Sequence, residues 1–384
     1  MNSLRNEIAY LFSGAGMPYE KICLAVAAFI TIFFTITLGN NMARDVPVMV
    51  IDLDHSRYSQ EVVEKIDSTP YMKVSGVIYT AEDPQHFLVQ DKNYAVIVLP
   101  KDLEKNHYSG VSANIGLFCD NGNTALDADI RASMNEIVGT ENANTGVATG
   151  QSGGSLKVSE RLLFNPAGSE SNGAVSGFLI MFSSIFFTFA TIGMVPRLRE
   201  TPEWEEILET GNPLTLAVRL LPYLGCLLVA LFMGLAILRV WSDLAFAGSV
   251  LDFLITQILF LPAMGLLSLI FGWGAANPGV ASSRMIIFVP AGFIFSGATF
   301  PISLYPSWML VFSHIFPLTW EFNFIRDVVI RGASLTQMPD IIGAFLLYLA
   351  VIFGVFCWRF MKERESLRKE RLESREREAE WEAS

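Results

Sequence analysis

One apolar span, residues 22–39 (ICLAVAAFITIFFTITLG), stands apart from the others in this chain, which crowd between Ala174 and Phe360 after more than a hundred residues without a comparable run. A helix needs about 20 mainly apolar residues to cross roughly 30 Å of hydrocarbon. Residues 22–39 meet this with Lys21 and Asn40 at the interfaces, and residues 174–195, 216–238, 249–271 and 341–360 meet it comfortably. A fifth later stretch, 284–300, is shorter and contains Pro290, which predicts a tilt or a kink. The expected fold class is an α-helical polytopic membrane protein of six transmembrane helices, with an α/β extracytoplasmic domain inserted between the first two.

The first span reads as an uncleaved anchor: it is longer than the about 7–15 residues of a signal-peptide core, and LGNNMARD offers no small-residue cleavage site. Arg5, Lys21, Arg197, Arg199, Arg284, Lys362, Arg364, Arg368 and Lys369 fall on the side of the termini, against Arg239 on the opposite short loop. Basic residues favour the cytoplasmic side, so residues 1–21 and the charged tail 361–384 are expected to be cytoplasmic, and residues 40–173 to face outward. A 52% hydrophobic content agrees with a membrane protein, and the net charge of −11 argues against nucleic acid as a partner. Cys23, Cys226 and Cys357 lie in spans, so Cys119, alone in the outward domain, has no disulfide partner there.

Within the outward domain, strands are expected at 46–54, 71–80, 94–100 and 113–120, alternating with helices at 56–69, 83–92 and 101–108. That alternation predicts a small, mostly parallel sheet covered by helices. Residues 124–150 read as a polar helical connector, GQSGGS (150–155) as a flexible break, and SERLLFNP (159–166) as the lead into the second span.

No catalytic constellation emerges. GQSGGSLK has glycines and a lysine, but Lys157 lies three residues past Gly154, where a phosphate loop needs it directly after the last glycine. Asp52, Asp54 and His55 are more simply a strand end whose polar groups cap the next helix, with Ser56 as N-cap, than a metal site. Ionisable groups are sparse in the spans, Arg219 and Asp252 lying near span ends where they can snorkel. A proton- or ion-coupled carrier places such groups near mid-membrane, so energy is expected to enter elsewhere.

The segment RLRETPEWEEILET, residues 197–210, is the candidate entry point. Thr201 as N-cap and Pro202 at the first helical position predict a helix start. Glu203 in the first turn suits the helix dipole, and Trp204, Ile207 and Leu208 form an apolar stripe at i, i+3 and i+4, beside Glu205, Glu206 and Glu209. Helices that lie on lipid usually carry a basic polar face. This acidic one suits a protein groove better.

Arg197, Glu200, Glu205, Leu208 and Thr210 resemble the coupling segment of type-2 ABC exporter permeases, with its Arg-Glu-x-Glu-x-Gly-Thr-x-Glu-x-Leu-Leu-x-Thr-Pro pattern. A second block, residues 300–332, resembles the stations between that family's last two spans, here Phe300, Pro301, Pro306, Trp308, Pro317, Thr319 and Arg326. VMVIDLDHSRYSQEVVEKI and RLLFNP resemble the boundaries of the outward domain in the subgroup that has one between the first and second transmembrane helices. The resemblance spans residues 20–360. Departures occur in the coupling segment: Leu198 replaces the first Glu, Pro202-Glu203 the Gly-Thr, and Gly211-Asn212 the final Pro.

The resemblance implies the membrane subunit of an ATP-driven exporter, binding no cofactor itself, with ATP and Mg held by a separate ABC ATPase. It also implies a second permease copy or paralogue, and a periplasmic adaptor (membrane-fusion) protein docked on the outward domain in the inner membrane of a double-membrane bacterium. The residues proposed to meet the ATPase are Arg197, Glu200, Glu203, Trp204, Glu205, Ile207, Leu208 and Thr210. The 300–332 block would supply short helices dipping into the outer leaflet beside the exit, with Phe300, Trp308, Phe312, Phe316, Trp320 and Phe322 as an interface belt touching lipid. Arg326 is placed either to anchor at head groups or to pair with Glu321 or Asp327. Apolar span middles suggest hydrophobic or amphipathic cargo. The tail is expected to extend the sixth span as a solvated helix. A membrane-anchored binding or scaffold protein, and a secondary carrier, are the competing readings.

Overall fold

The computed structural model describes residues 44–122, 124–149, 156–165, 174–242, 244–298 and 302–383. The expected first span at 22–39, the segment 1–21, the GQSGGS break, and Phe300 and Pro301 lie outside the described residues.

Five strands form one sheet: β1 (Val46–Asp52), β2 (Met72–Ile78), β3 (Ala95–Leu99), β4 (Ala113–Cys119) and β5 (Leu156–Leu162), in the order β2-β1-β3-β4-β5. Neighbours are parallel except β3 and β4, which run antiparallel. The unexpected strand is β5, which takes in residues 159–162 of the stretch read as the lead into the second span. Its LKVSERL alternation is mostly exposed, as suits a strand at the sheet's edge.

Three helices cover one face: α1 (Arg57–Asp67), α2 (Leu103–Tyr108) and α3 (Thr124–Thr149). In place of the helix expected at 83–92 stand two short 3-10 turns, Pro84–Phe87 and Val89–Asp91. The connector reading of α3 fails for a specific reason. Leu126, Ile130, Met134 and Val138 recur every four residues and are buried against the sheet, a stripe narrow enough to disappear among polar neighbours. Ser56 caps α1 as expected, within a capping box. The Asp52 carboxylate takes the backbone N–H groups of Asp54 and His55, and Asp54 takes those of Leu103 and Glu104.

The other sheet face rests on the helical bundle rather than on helices of its own domain. Side chains alternate across a strand, and here the alternation divides two cores. Val48, Val50, Ile97 and Leu99 join the helices of the α/β domain. Ile51 and Val96 join the core of the bundle, with Met49, Val98 and Phe118 against it.

Among the described residues, five helices are long and apolar enough to cross a membrane. They are α4 (Val175–Arg199), α6 (Pro213–Trp241), α7 (Val250–Gly272), α8 (Pro278–Phe295) and the start of α11 (Pro339–Ala383), while α5 (Glu203–Glu209), α9 (Ser307–Ser313) and α10 (Pro317–Phe324) are short. At Gly272 an added Cβ would sit 1.8 Å from the Ile192 carbonyl oxygen, so only glycine lets α7 pass α4 this closely. α11 is one unbroken helix of 45 residues, carrying span and charged tail together.

Candidate functional site

Charged side chains gather at the two ends of the apolar bundle, and each gathering includes one of the segments singled out by sequence. At the tail end lies α5. Its start differs from expectation: the Thr201 hydroxyl donates to the Leu198 carbonyl at 2.8 Å, closing the helix before it, and Pro202 occupies the N-cap with no side-chain cap. Trp204, Ile207 and Leu208 are buried, but in this chain's own core. The Trp204 ring meets Trp273 edge-on at 5.8 Å and receives the Arg199 guanidinium over its face at 5.6 Å. The apolar stripe therefore anchors α5 to the bundle and leaves its acidic edge, with Arg197, Glu200 and Thr210, exposed.

What holds α5 from behind is the tail of α11, which the sequence reading did not connect with it. Arg364 donates to the carbonyls of Leu208, Glu209 and Gly211, satisfying groups that a helix C-terminus leaves open. Arg371 pairs with Glu205 at 2.6 Å and also with Glu209. Arg199 pairs with Glu363 at 2.7 Å, and the Trp273 indole donates to the same carboxylate. Arg219 pairs with Glu203 at 2.9 Å, tying α6 to the same helix. The departure at Gly211 has a steric reason, since a Cβ there would lie 2.5 Å from the Ile207 carbonyl oxygen. Asn212, its neighbour, caps α6 through Thr215.

At the opposite end, residues 302–330 form a 3-10 turn, α9, α10 and a π-helix at Ile325–Ile330. Only part of the expected aromatic belt faces outward: Trp308 and Phe312 are exposed, whereas Phe316, Trp320 and Phe322 pack inside. Pro306 is exposed; Pro317 and Thr319 are buried, the Thr319 hydroxyl donating to the Ser313 carbonyl at 2.6 Å.

Arg326 takes neither partner expected for it. It pairs with Asp91 of the α/β domain at 2.7 Å, and donates to Asn323 and to the Gly297 carbonyl. Arg331, missed by sequence reasoning, is the centre: it reaches Asp91 and Asp120 at 2.5 Å each and Asp327 at 2.6 Å, with its side chain only 3% exposed. In an α-helix, residues five apart lie about 140° from one another around the axis. The i→i+5 winding, seen in the Arg331 N–H donating to the Arg326 carbonyl, brings the two arginines to one side, so both reach Asp91. Gly248 admits this winding, since a Cβ there would lie 1.9 Å from the Val328 carbonyl oxygen.

These charges shift one another. Burial acts to raise the Asp91 carboxyl, but the Arg326 and Arg331 guanidiniums overcome it and bring it down to about 2. Asp127, at the start of α3, is pushed up to about 8 by burial and by Asp120 nearby. A further buried carboxyl, Glu321 on α10, accepts 2.8 Å from the Gln257 amide of α7. The one local sign of this cluster was the Asp327/Arg331 spacing of four; Asp91 and Asp120 read as ordinary turn residues.

An apolar bundle with an ion-clamped helix at one end and a domain ion-pinned at the other defines a multi-pass membrane protein organised around those two ends. The family described as ABC-2 family transporter protein matches over residues 22–360. The chain belongs to that family, and so is a permease component of an ABC transporter, a membrane subunit that is not itself catalytic. No curated protein and no solved structure matches it.

Proposed function

We propose that this chain is the permease of an ATP-driven exporter in a bacterial inner membrane, with both termini cytoplasmic and residues 40–173 periplasmic. Two permeases, identical or paralogous, would enclose the pathway for hydrophobic or amphipathic cargo, and ATP with Mg would be bound by a separate ABC ATPase. The observation that carries this reading is the seating of α5: its apolar stripe is locked into the bundle, so a push on its exposed acidic edge is passed to α4, α6 and α7. Residues 302–332 would form the exit-side element. Because they share buried charges with the α/β domain, a change at the exit would be felt by an adaptor docked on that domain. Such an adaptor would meet the helix-covered face, where an open groove of about 550 Å³ lies among Lys65, Tyr71, Ile137 and Glu141.

Glu206 tests the coupling step, being exposed and outside every ion pair among the described residues. Glu206→Lys is expected to lower permease-stimulated ATP hydrolysis and efflux at least tenfold, with the membrane level of the protein unchanged. Unaltered hydrolysis and efflux in this variant and in Trp204→Ala would remove α5 from the energy path.

A further inference from the structure

Two acceptor atoms stand idle where α10 meets α7. Glu321 and Gln257 are wholly buried, and the Gln257 amide donates to the Glu321 Oε1 at 2.8 Å. The other carboxyl oxygen, Glu321 Oε2, and the Gln257 carbonyl Oε1 have no hydrogen-bond partner among the described residues. A buried polar atom without a partner forfeits its hydration, and an isolated buried charge costs far more. No cation answers the carboxyl. α10 packs against α7, α8 and the π-helix, and Trp320 meets Phe345 and Tyr348 of α11. On the π-helix, Arg326 pairs with Asp91 and Asp327 with Arg331. Arg284 of α8 donates to the Phe271 carbonyl, Tyr348 to that of Ile315, and the His314 ring before α10 to that of Leu310. Asp252 of α7 and Asp340 of α11 each lie five residues, more than a turn, before Gln257 and Phe345.

One proton resolves both idle atoms. A neutral carboxylic acid offers a donor and an acceptor side by side, as a primary amide does. An O–H on Glu321 Oε2 donating to Gln257 Oε1 therefore closes a two-point ring with the N–H bond already present. We infer that Glu321 and Gln257 form a buried proton-holding site, in which the neutral Glu321 acid donates to Gln257 and latches α10 to α7. α10 runs without a break into the π-helix that carries Arg326 and leads to Arg331. One rod is thus fixed to the bundle by a neutral pair and to the α/β domain by charges. A movement taking the rod off α7 would bring Glu321 to water, where a glutamate ionises near about pH 4.3. Separation then gives up a proton and becomes easier as the pH rises. The site depends neither on the coupling reading of α5 nor on the direction of transport.

The test uses the full permease in detergent at neutral pH. An infrared difference spectrum of parent minus Glu321→Gln is expected to show the carbonyl stretch of one protonated carboxyl. Glu321→Gln should keep the parent's unfolding temperature, since an amide makes the same two bonds, and the parent should lose stability against it as the pH is raised. Gln257→Leu strands the acid and is expected to lower the unfolding temperature by roughly 4 °C or more. Gln257→Leu with Glu321→Leu should recover most of that loss, because removing both partners leaves no polar atom unpaired. An ionised carboxylate met by a water or a cation predicts no protonated-carboxyl band, and that result would overturn the site. So would a Glu321→Gln protein that unfolds or fails to reach the membrane, because the ring tolerates the amide. A band present in the difference spectrum with Gln257→Leu as stable as the parent would overturn the latch.

Discussion

The two ends of the bundle are both held by arginine–carboxylate contacts, yet they differ in kind. At the tail end Arg371 is 44% exposed, and its partners Glu205 and Glu209 are 57% and 42% exposed. At the domain end Arg331 is 3% exposed, among Asp91, Asp120 and Asp327 at 7%, 4% and 1%. An exposed pair is weak and screened by salt, typically under about 1 kcal/mol, so it aligns elements that can still part. A buried cluster costs much to desolvate and more to leave half-built, since removing one partner strands the other charges. The difference suggests one end built for adjustment and one built to keep the α/β domain and the segment 302–332 together.

The sharpest way to break that contrast is Arg331→Met, which leaves three carboxylates around an apolar side chain. A loss of about 3–5 kcal/mol is expected, read as a large fall in the apparent unfolding temperature of the detergent-solubilised protein. Adding Asp120→Asn should recover part of it. Equal unfolding temperatures for parent and Arg331→Met would mean that the cluster does not pin the domain.

Asp91→Asn should cost less, because Arg331 keeps Asp120 and Asp327 and the amide oxygen still accepts from one of the two arginines. It should also change the acid limb. A carboxyl lowered from 3.8 to about 2 contributes stability that is present above pH 4 and lost as the pH falls towards 2. The parent should therefore lose stability over that window while the variant changes less, as thermal scans from pH 2 to 5 would record.

Asp127→Asn carries the opposite sign. With the folded carboxyl raised from 3.8 to about 8, the parent's stability from this group is full below pH 4 and is lost as the pH rises through 8. The variant should be the more stable of the two at pH 8, and the gap should close towards pH 4. A gap that does not vary with pH would show that Asp127 is charged in the fold.

Smallest of all should be Arg371→Ala, under about 1 kcal/mol on unfolding and vanishing in high salt. If it proved as costly as Arg331→Met, the two ends would not differ in kind.

Much of the fold was legible because its signals are local. The five later spans, four of the strands, α1 and the α5 stripe each follow from apolar periodicity within a short window. Edge strand β5 and the buried face of α3 were harder, since a half-exposed strand and a single stripe among Asn, Thr and Glu leave little local contrast. Near Arg326, sequence offered Glu321 and Asp327 as partners because they are close along the chain.

By itself the sequence determined that this chain enters a membrane several times, carries an α/β domain, and presents a short acidic helix with one apolar stripe, all properties of neighbouring residues. Only the tertiary structure decided where that stripe points, that Arg364 and Arg371 brace it, and that Asp91 meets Arg331 across 240 residues. The physical reason is that apolar periodicity is set by helix and strand geometry within a few residues, whereas a charge acquires its partner only when folding fixes which distant segments share a buried site.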